Sequence, residues 1–134
     1  MFRKRNSLVA LCVWLALLQG CRHSNEPSSD LTLAHEVSPQ PPRVGQVTIT
    51  FRLTDSAGTP VKGARMKLEG NMSHAGMVPV FAEAKETEPG RYQSTLELSM
   101  AGDWYVLVTA TLSDNRKFER QFEIKGVAPI DDGV

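Results

Sequence analysis

Cysteine is scarce in this sequence, and what there is lies near the N-terminus. The 134-residue chain has two cysteines, Cys12 and Cys21, so the long segment after them can form no internal disulfide. An excess of one charge is also missing, because 15 basic residues balance 15 acidic residues. Without the three basic residues at positions 3–5, the remainder carries 12 basic and 15 acidic residues. This balance argues against a nucleic-acid partner, which requires a concentrated basic face.

The chain also lacks an apolar run long enough for a membrane-spanning helix. Its longest run, Leu8 to Leu18, has eleven residues, whereas a spanning helix needs about 20. The run follows the basic residues at positions 3–5 and leads into Leu18-Gln-Gly-Cys21. A basic head, a short apolar run and a small-residue site are typical of a secretory signal peptide. The last four residues resemble the lipobox of bacterial lipoproteins, in which the cysteine is lipidated and becomes the first mature residue.

We therefore expect residues 1–20 to be removed and Cys21 to carry the lipid, with palmitate as its acyl chain; the alternative is an uncleaved signal anchor. Arg22 in place of an aspartate favours the outer membrane, with the protein facing the periplasm. Residues 21–42 are polar and then proline-rich, which predicts a flexible tether. Within them, Leu31 to Val37 alternates weakly and suggests a first edge strand.

The rest of the chain alternates apolar and polar residues at the period of a β-strand. Turn residues such as Asp55 to Gly58 and Glu88 to Gly90 separate these segments. Such a pattern predicts an all-β antiparallel sandwich of about seven short strands over residues 43–126, followed by a loose tail at 127–134. The predicted core contains Ile49, Phe51, Leu96, Leu98, Trp104, Val106, Val108, Phe118 and Phe122. Met66 shares a strand face with Leu68 and is expected in this core as well.

Five short motifs follow one another along this part: Gly45 before a threonine-rich strand, Asp55-Ser-Ala-Gly-Thr-Pro-Val-Lys-Gly-Ala64, Met72-Ser-His-Ala-Gly-Met77, Glu88-Pro-Gly-Arg-Tyr92 and Met100-Ala-Gly-Asp-Trp104. Together they resemble the YtkA-like family, which is related to the periplasmic part of FixH proteins. The resemblance covers about Val44 to Ile124. It implies an immunoglobulin-like sandwich that is exported and linked to copper handling or to the maturation of respiratory oxidases.

The candidate site is the segment Asn71 to Met77. Met72, His74 and Met77 bring two thioethers and one imidazole within six residues, and Gly76 gives the backbone freedom to let them converge. Thioether sulfur is a soft ligand suited to Cu(I), and imidazole binds both copper oxidation states. The alternative is that the methionines fill gaps in the core and His74 faces solvent.

Further candidate ligands lie outside this segment. Met100 could complete the copper site, although its position in the alternation favours core packing. His35 shares a strand face with Leu33 and Val37, and is either a buried edge histidine or a ligand. Arg120 interrupts the inward face of the last strand and either pairs with an acid or marks a bulge.

The sequence contains no catalytic motif that would indicate an enzyme. Ser73 and His74 are adjacent and point to opposite sides of an extended backbone, so they cannot form a nucleophile–base pair. The sequence has no Gly-x-Ser-x-Gly elbow, phosphate loop or two-histidine zinc motif. Three hypotheses remain: a copper-binding lipoprotein that works with copper-handling or oxidase-assembly proteins, an interaction module without metal that assists assembly of an envelope or respiratory complex, and a structural envelope lipoprotein.

Overall fold

A computed structural model of the chain describes residues 30–131 and Gly133. The predicted leader and the predicted lipidation site, Cys21, lie outside the described residues. Among those residues, no helix is long and apolar enough to cross a membrane. The described part contains seven β-strands: β1 (Thr32–Ser38), β2 (Gly45–Thr54), β3 (Arg65–Asn71), β4 (Val80–Glu88), β5 (Arg91–Leu98), β6 (Gly102–Thr111) and β7 (Lys117–Val127).

The strands are hydrogen-bonded in the order β1-β2-β5-β4-β3-β6-β7, and all neighbours are antiparallel. β4 belongs to both halves of this sheet. Its first part, Val80 to Ala84, pairs with β3, and its last part, Lys85 to Glu88, pairs with β5 across an irregularity in register. The sheet therefore folds at β4, and its two halves face each other. This confirms the predicted immunoglobulin-like antiparallel β-sandwich.

Apolar side chains from both halves form one core because alternate residues of every inner strand point between the halves. Trp104 is 1% exposed, and Phe51 of β2 meets Phe122 of β7 edge to face, with ring centroids 6.0 Å apart. Every predicted core residue is buried except Phe122, which is half-buried, and Met66 is buried as predicted. The open side of the sandwich, between β1 and β7, is where Phe122 lies.

The antiparallel arrangement gives the sandwich two ends. Thr32 at the start of β1 pairs with Thr54 at the end of β2, and Arg116 of the β6–β7 turn lies 3.9 Å from Asp30. We call this the N-terminal end; it includes the β2–β3, β4–β5 and β6–β7 connections. The opposite end, called the loop end, contains the β1–β2, β3–β4 and β5–β6 connections. The candidate segment Asn71 to Met77 lies at the loop end.

Both termini of the sandwich extend beyond the boundaries expected from the sequence. The tether expected over residues 21–42 ends earlier, because β1 is paired with β2 along its whole length. The tail expected at 127–134 is fixed at its start, because the Ala128 N–H donates to the Pro42 carbonyl and the Val44 N–H donates to the Ala128 carbonyl. Val127 is buried, and Asp131 forms an ion pair with Arg43. The sequence gives little sign of these contacts because the partners are more than 80 positions apart.

Arg120 neither pairs with an acid within the described residues nor marks a bulge. It lies opposite Val108 in the regular β6–β7 register, is exposed, and holds its guanidinium 5.1 Å from the centroid of the Phe118 ring. A cation over an aromatic face is a favourable contact that leaves the charge in water. The inward face of β7 is interrupted at this position because the strand lies at the open side of the sandwich.

Candidate functional site

Met72 is the first residue after β3 and fills the core at the loop end. It is 5% exposed, and its Cε lies 3.0 Å from the position that a Cβ on Gly102 would occupy. Gly102 begins β6 with a φ of +123°, so the absence of a side chain there serves both the backbone and this close contact. The sulfur of Met72 is therefore held beneath the chain and packs as a core residue.

His74 and Met77 lie in the β3–β4 loop above Met72. His74 is exposed, and its carbonyl accepts a hydrogen bond from the Met77 N–H at 3.3 Å. Gly76 has a φ of +82°, which lets the loop turn tightly at this point. The side chain of Met77 is half-buried and packs against the core. The loop thus presents one free imidazole and one partly accessible thioether.

Met100 lies in the β5–β6 turn at the same end, and the expectation that it packs in the core is wrong. Its side chain is 48% exposed. β5 ends at Leu98, so the alternation that keeps inner-facing residues buried does not continue to Met100. Its carbonyl accepts a hydrogen bond from the indole N–H of Trp104 at 2.9 Å, which fixes the turn over the core. Met100 is therefore an accessible thioether two residues from Gly102, the neighbour of Met72.

His35 lies elsewhere, at the open side between β1 and β7. Its imidazole stacks on the Phe122 ring with centroids 3.9 Å apart and an interplanar angle of 27°. Burial lowers the pKa of His35 from its ordinary value of 6.5. A shallow cleft of about 350 Å³ beside the stack is lined partly by Gln40 and Lys125. Two strands, β2 and β5, separate β1 from the folded side of the sheet, so the structure does not bring His35 to the methionines.

Histidine and acidic residues do not assemble a metal site elsewhere in the part of the chain that is described. Within residues 30–131, His, Cys, Asp and Glu side chains form no group of three that could hold a metal ion.

A hydrogen-bonded cluster at the N-terminal end was not anticipated from the sequence. The Tyr92 hydroxyl donates to the Val61 carbonyl at 2.7 Å and accepts from the Ala64 N–H at 3.1 Å. The Glu86 carboxylate accepts hydrogen bonds from the backbone N–H groups of Gly63 and Gly90. The tyrosine in Gly90-Arg-Tyr92 is the only sequence signal for this cluster, and it does not identify the partners.

Burial and hydrogen bonding perturb both ionisable groups of this cluster. Burial raises the pKa of the Tyr92 hydroxyl, and the neighbouring Glu86 carboxylate adds to the increase. Burial also acts to raise the pKa of Glu86, but the hydrogen bonds from the Gly90 and Gly63 N–H groups, together with the charge of Lys62, outweigh it and leave the pKa lowered. The cluster joins the β2–β3 connection to the β4–β5 connection.

A comparison of the sequence with protein-family models identifies the family over most of this fold. The YtkA-like family model matches residues 26–109, which include β1 to β5 and most of β6. The chain belongs to the YtkA-like family. The matched region contains the loop with Met72, His74 and Met77, the β5–β6 turn with Met100, and the edge strand with His35. The membership therefore covers every described candidate residue.

Two solved structures match this chain at low sequence identity and low TM-score. MtrC from Shewanella baltica OS185 is 15% identical with a TM-score of 0.47; the match covers 75% of this chain and 22% of MtrC. The chain thus spans about a fifth of the length of that protein. Murine CRIg is 15% identical with a TM-score of 0.42, over 74% of this chain and 97% of CRIg. No curated protein is similar enough to this sequence to count as a relative.

Proposed function

We propose that this YtkA-like protein is an exported, lipid-anchored accessory protein that binds Cu(I) at the loop end of its sandwich. The leader and Leu18-Gln-Gly-Cys21 support export and anchoring. We place the protein on the outer membrane, where it faces the periplasm. Family membership supports an accessory role alongside copper-handling or oxidase-assembly proteins. The observation that carries the copper proposal is the gathering of soft donors at one end of a β-sandwich.

Three of these donors can be reached from solvent. His74 is exposed, Met100 is 48% exposed and Met77 is half-buried. Thioethers and a neutral imidazole are the donors that Cu(I) accepts without a thiolate. We assign His74, Met77 and Met100 as the ligands, and the bound ion would supply a redox-active or transferable metal centre there.

Met72 has a different role in this proposal from the one expected from the sequence. Its thioether is buried under Gly102, and it could ligate only by leaving the core. We therefore assign Met72 as the packed floor on which the β3–β4 loop and the β5–β6 turn meet. This assignment separates the methionines into one that packs and two that bind.

A Cu(I) competition titration of matched leucine variants tests this separation. Met77→Leu and Met100→Leu keep a similar side-chain volume and remove the sulfur, and we expect each to weaken Cu(I) binding by about tenfold or more. Met72→Leu is the matched control, since it removes a buried sulfur, and it should leave the affinity unchanged. Equal affinity of the native protein and the Met77→Leu/Met100→Leu double variant would reject the site.

Acid provides an independent test of the imidazole. A protonated imidazole cannot bind a metal ion, so Cu(I) affinity should fall as the solution is made acidic. In His74→Asn the affinity should be lower at neutral pH and should depend less on acid. An unchanged acid dependence in this variant would remove His74 from the ligand set.

Anchoring is tested separately by the intact mass of the protein extracted from membranes. We expect loss of residues 1–20 and a lipid on Cys21. A retained leader, or a mature chain that starts with an unmodified Cys21, would contradict the anchor and leave the copper site standing.

A second candidate function, an interaction module without metal, has its own supporting observation. Phe81 is 72% exposed and Val78 is 76% exposed. Phe81 lies in line with Glu69 and Leu107 on the outer face of the half formed by β4, β3, β6 and β7. Cross-linking in native membranes, comparing the native protein with Phe81→Ser, tests this function. A cross-linked protein partner lost in Phe81→Ser would support it, and identical products from the two proteins would contradict it.

A further inference from the structure

Charges are compensated differently at the two ends of the sandwich. At the N-terminal end, the acidic side chains within residues 30–131 are engaged within the fold. Asp55 accepts hydrogen bonds from two N–H groups of its own turn, and Glu86 accepts from two neighbouring connections. Of the remaining acids, Glu88 lies beside Arg91, and Asp114 and Asp30 lie beside Arg116. Glu119 accepts a hydrogen bond from the Thr109 hydroxyl at 3.5 Å. The acids of this end are thus held close to internal donors and cations.

Several basic side chains at the N-terminal end have no such partner. Arg52 lies near the end of β2, Arg65 begins β3 and Lys117 begins β7, and all three are exposed. Within residues 30–131, none of these three forms an ion pair. Arg52 also lies directly across from Arg91 in the β2–β5 register. Like charges in cross-strand register are unfavourable, so an anionic surface beside Arg52 would be favourable.

The loop end shows the reverse. Its two basic side chains are engaged, Arg43 with Asp131 and Lys125 with Glu123. Glu97 near the end of β5 is exposed and, in the part of the chain that the structure describes, forms no ion pair. The spare charge is therefore positive where the chain joins the sheet and negative around the candidate copper site. A small total charge hides this polarity.

We propose that the N-terminal end of the sandwich rests against an anionic phospholipid surface and so holds the loop end away from the bilayer. The proposal relies on the lipid anchor at Cys21, which is part of the proposed function, and it does not require copper. The segment from Cys21 to Asp30 reaches at most about 30 Å when extended. A tether of this length lets the sandwich turn freely, so the tether alone does not fix its orientation. Charge attraction acts over about 8 Å at physiological salt, so it can orient the sandwich only when one end lies close to the membrane surface.

Two observations favour a phospholipid surface as the partner of this end: the direction in which the chain leaves the sandwich and the sign of the charge. The segment that leads to the lipid leaves the sandwich at Asp30, beside the β6–β7 turn that precedes Lys117. Anionic headgroups attract basic side chains, by about fivefold in partitioning for each residue close to the surface. Arg52, Arg65 and Lys117 are the residues to which we assign this contact.

The test uses the lipidated protein in vesicles, without metal. Single labels at Ser113→Cys, at the N-terminal end, and at Ser73→Cys, at the loop end, report energy transfer to an acceptor in the lipid headgroups. In phosphatidylglycerol-containing vesicles, transfer from position 113 should clearly exceed transfer from position 73. The difference should shrink in phosphatidylcholine vesicles and at high salt, because screening weakens the attraction.

Matched charge variants identify the surface. Arg52→Gln/Arg65→Gln/Lys117→Gln should reduce the difference between the two labels in anionic vesicles. Lys67→Gln/Arg120→Gln/Lys125→Gln removes the same net charge from other parts of the sandwich and should preserve it. Equal transfer from both positions in anionic vesicles, or the same difference in neutral vesicles, would overturn the proposal. An unmodified Cys21 in the membrane-extracted protein would overturn it together with the anchor, whereas failure to bind Cu(I) would not affect it.

Discussion

The two ends of this sandwich are built in different ways. At the N-terminal end, side chains bind backbone groups of neighbouring connections: the Tyr92 hydroxyl joins Val61 to Ala64, and the Glu86 carboxylate joins Gly63 to Gly90. At the loop end, the β3–β4 loop is closed by one backbone hydrogen bond, between Met77 and the carbonyl of His74. At the loop end, side chains that could bind a ligand are exposed. At the N-terminal end, the polar side chains are hydrogen-bonded to backbone groups of the fold.

This difference shows how a small domain can separate stability from binding. Side chains that satisfy buried backbone groups cannot also serve a ligand, because removing them leaves unpaired donors and acceptors. A loop that rests on a well-packed floor can expose its donors at little expense of stability. Changes at the N-terminal end should therefore alter stability, and changes in the β3–β4 loop should alter binding.

The largest expected effect concerns the floor of the loop end. Trp104 is 1% exposed, so Trp104→Ala should destabilise the protein by about 3–5 kcal/mol, measured by urea unfolding. Met100→Leu, which alters an exposed neighbour, is the control and should change stability by about 0.5 kcal/mol or less. A loss near zero in Trp104→Ala would mean that the loop end has no packed floor.

Two glycines at the N-terminal end give a matched pair. Gly90 has a φ of +75°, and a Cβ there would lie 2.5 Å from the Cβ of Pro60. Gly63 has a φ of +72° with nothing within 4 Å of such a Cβ. Gly63→Ala should cost about 1–2 kcal/mol for the left-handed backbone alone, and Gly90→Ala should cost clearly more, measured by urea unfolding. Equal losses would show that the contact with Pro60 does not matter.

Loss of a single hydroxyl sharpens the comparison at the same end. Tyr92→Phe leaves the Val61 carbonyl and the Ala64 N–H without their partner, which should cost about 1–3 kcal/mol in urea unfolding. Tyr105→Phe, on the half-buried outer face of β6, is the control and should have little effect. Equal stabilities of the two variants would argue that water replaces the Tyr92 hydroxyl.

The smallest effect is expected from His35. Burial lowers the pKa of His35 below its ordinary value of 6.5, so the folded state favours the neutral imidazole. The contribution of neutral His35 to the free energy of unfolding should be fully present above pH 6.5. It should decrease as the pH falls from 6.5 towards the lowered pKa of the folded state. His35→Phe keeps an aromatic ring against Phe122 and removes the titration, so unfolding midpoints at pH 7.5 and pH 5.5 should differ less in this variant. An unchanged difference would assign the acid effect to other groups.

The strands could be predicted from the sequence because burial alternates with the strand period. Val47, Ile49, Phe51 and Leu53 alternate with polar residues, and the structure buries all four. The same rule gives the wrong result for Met100, since β5 ends two residues earlier and the alternation stops with it. The end of β7 was harder to predict. The strand continues to Val127 because Gly102 of β6 pairs with that residue.

The candidate site could be predicted only in part. The local segment Met72 to Met77 is visible in the sequence because its donors are close together along the chain. Which methionine packs and which is exposed depends on Gly102, about 30 positions away, whose missing side chain admits Met72. The stack of His35 on Phe122 depends likewise on two strands that meet only when the halves of the sandwich face each other. Contacts of this kind have no periodic signal.

The separation of the two ends is tested most directly by measuring Cu(I) affinity and unfolding free energy on the same pair of variants. Met77→Leu should lower Cu(I) affinity by about tenfold or more and change the unfolding free energy by less than about 1.5 kcal/mol. Tyr92→Phe should lower the unfolding free energy by about 1–3 kcal/mol and leave the Cu(I) affinity unchanged. Unchanged Cu(I) affinity in Met77→Leu, or reduced affinity in a folded Tyr92→Phe protein, would contradict the account.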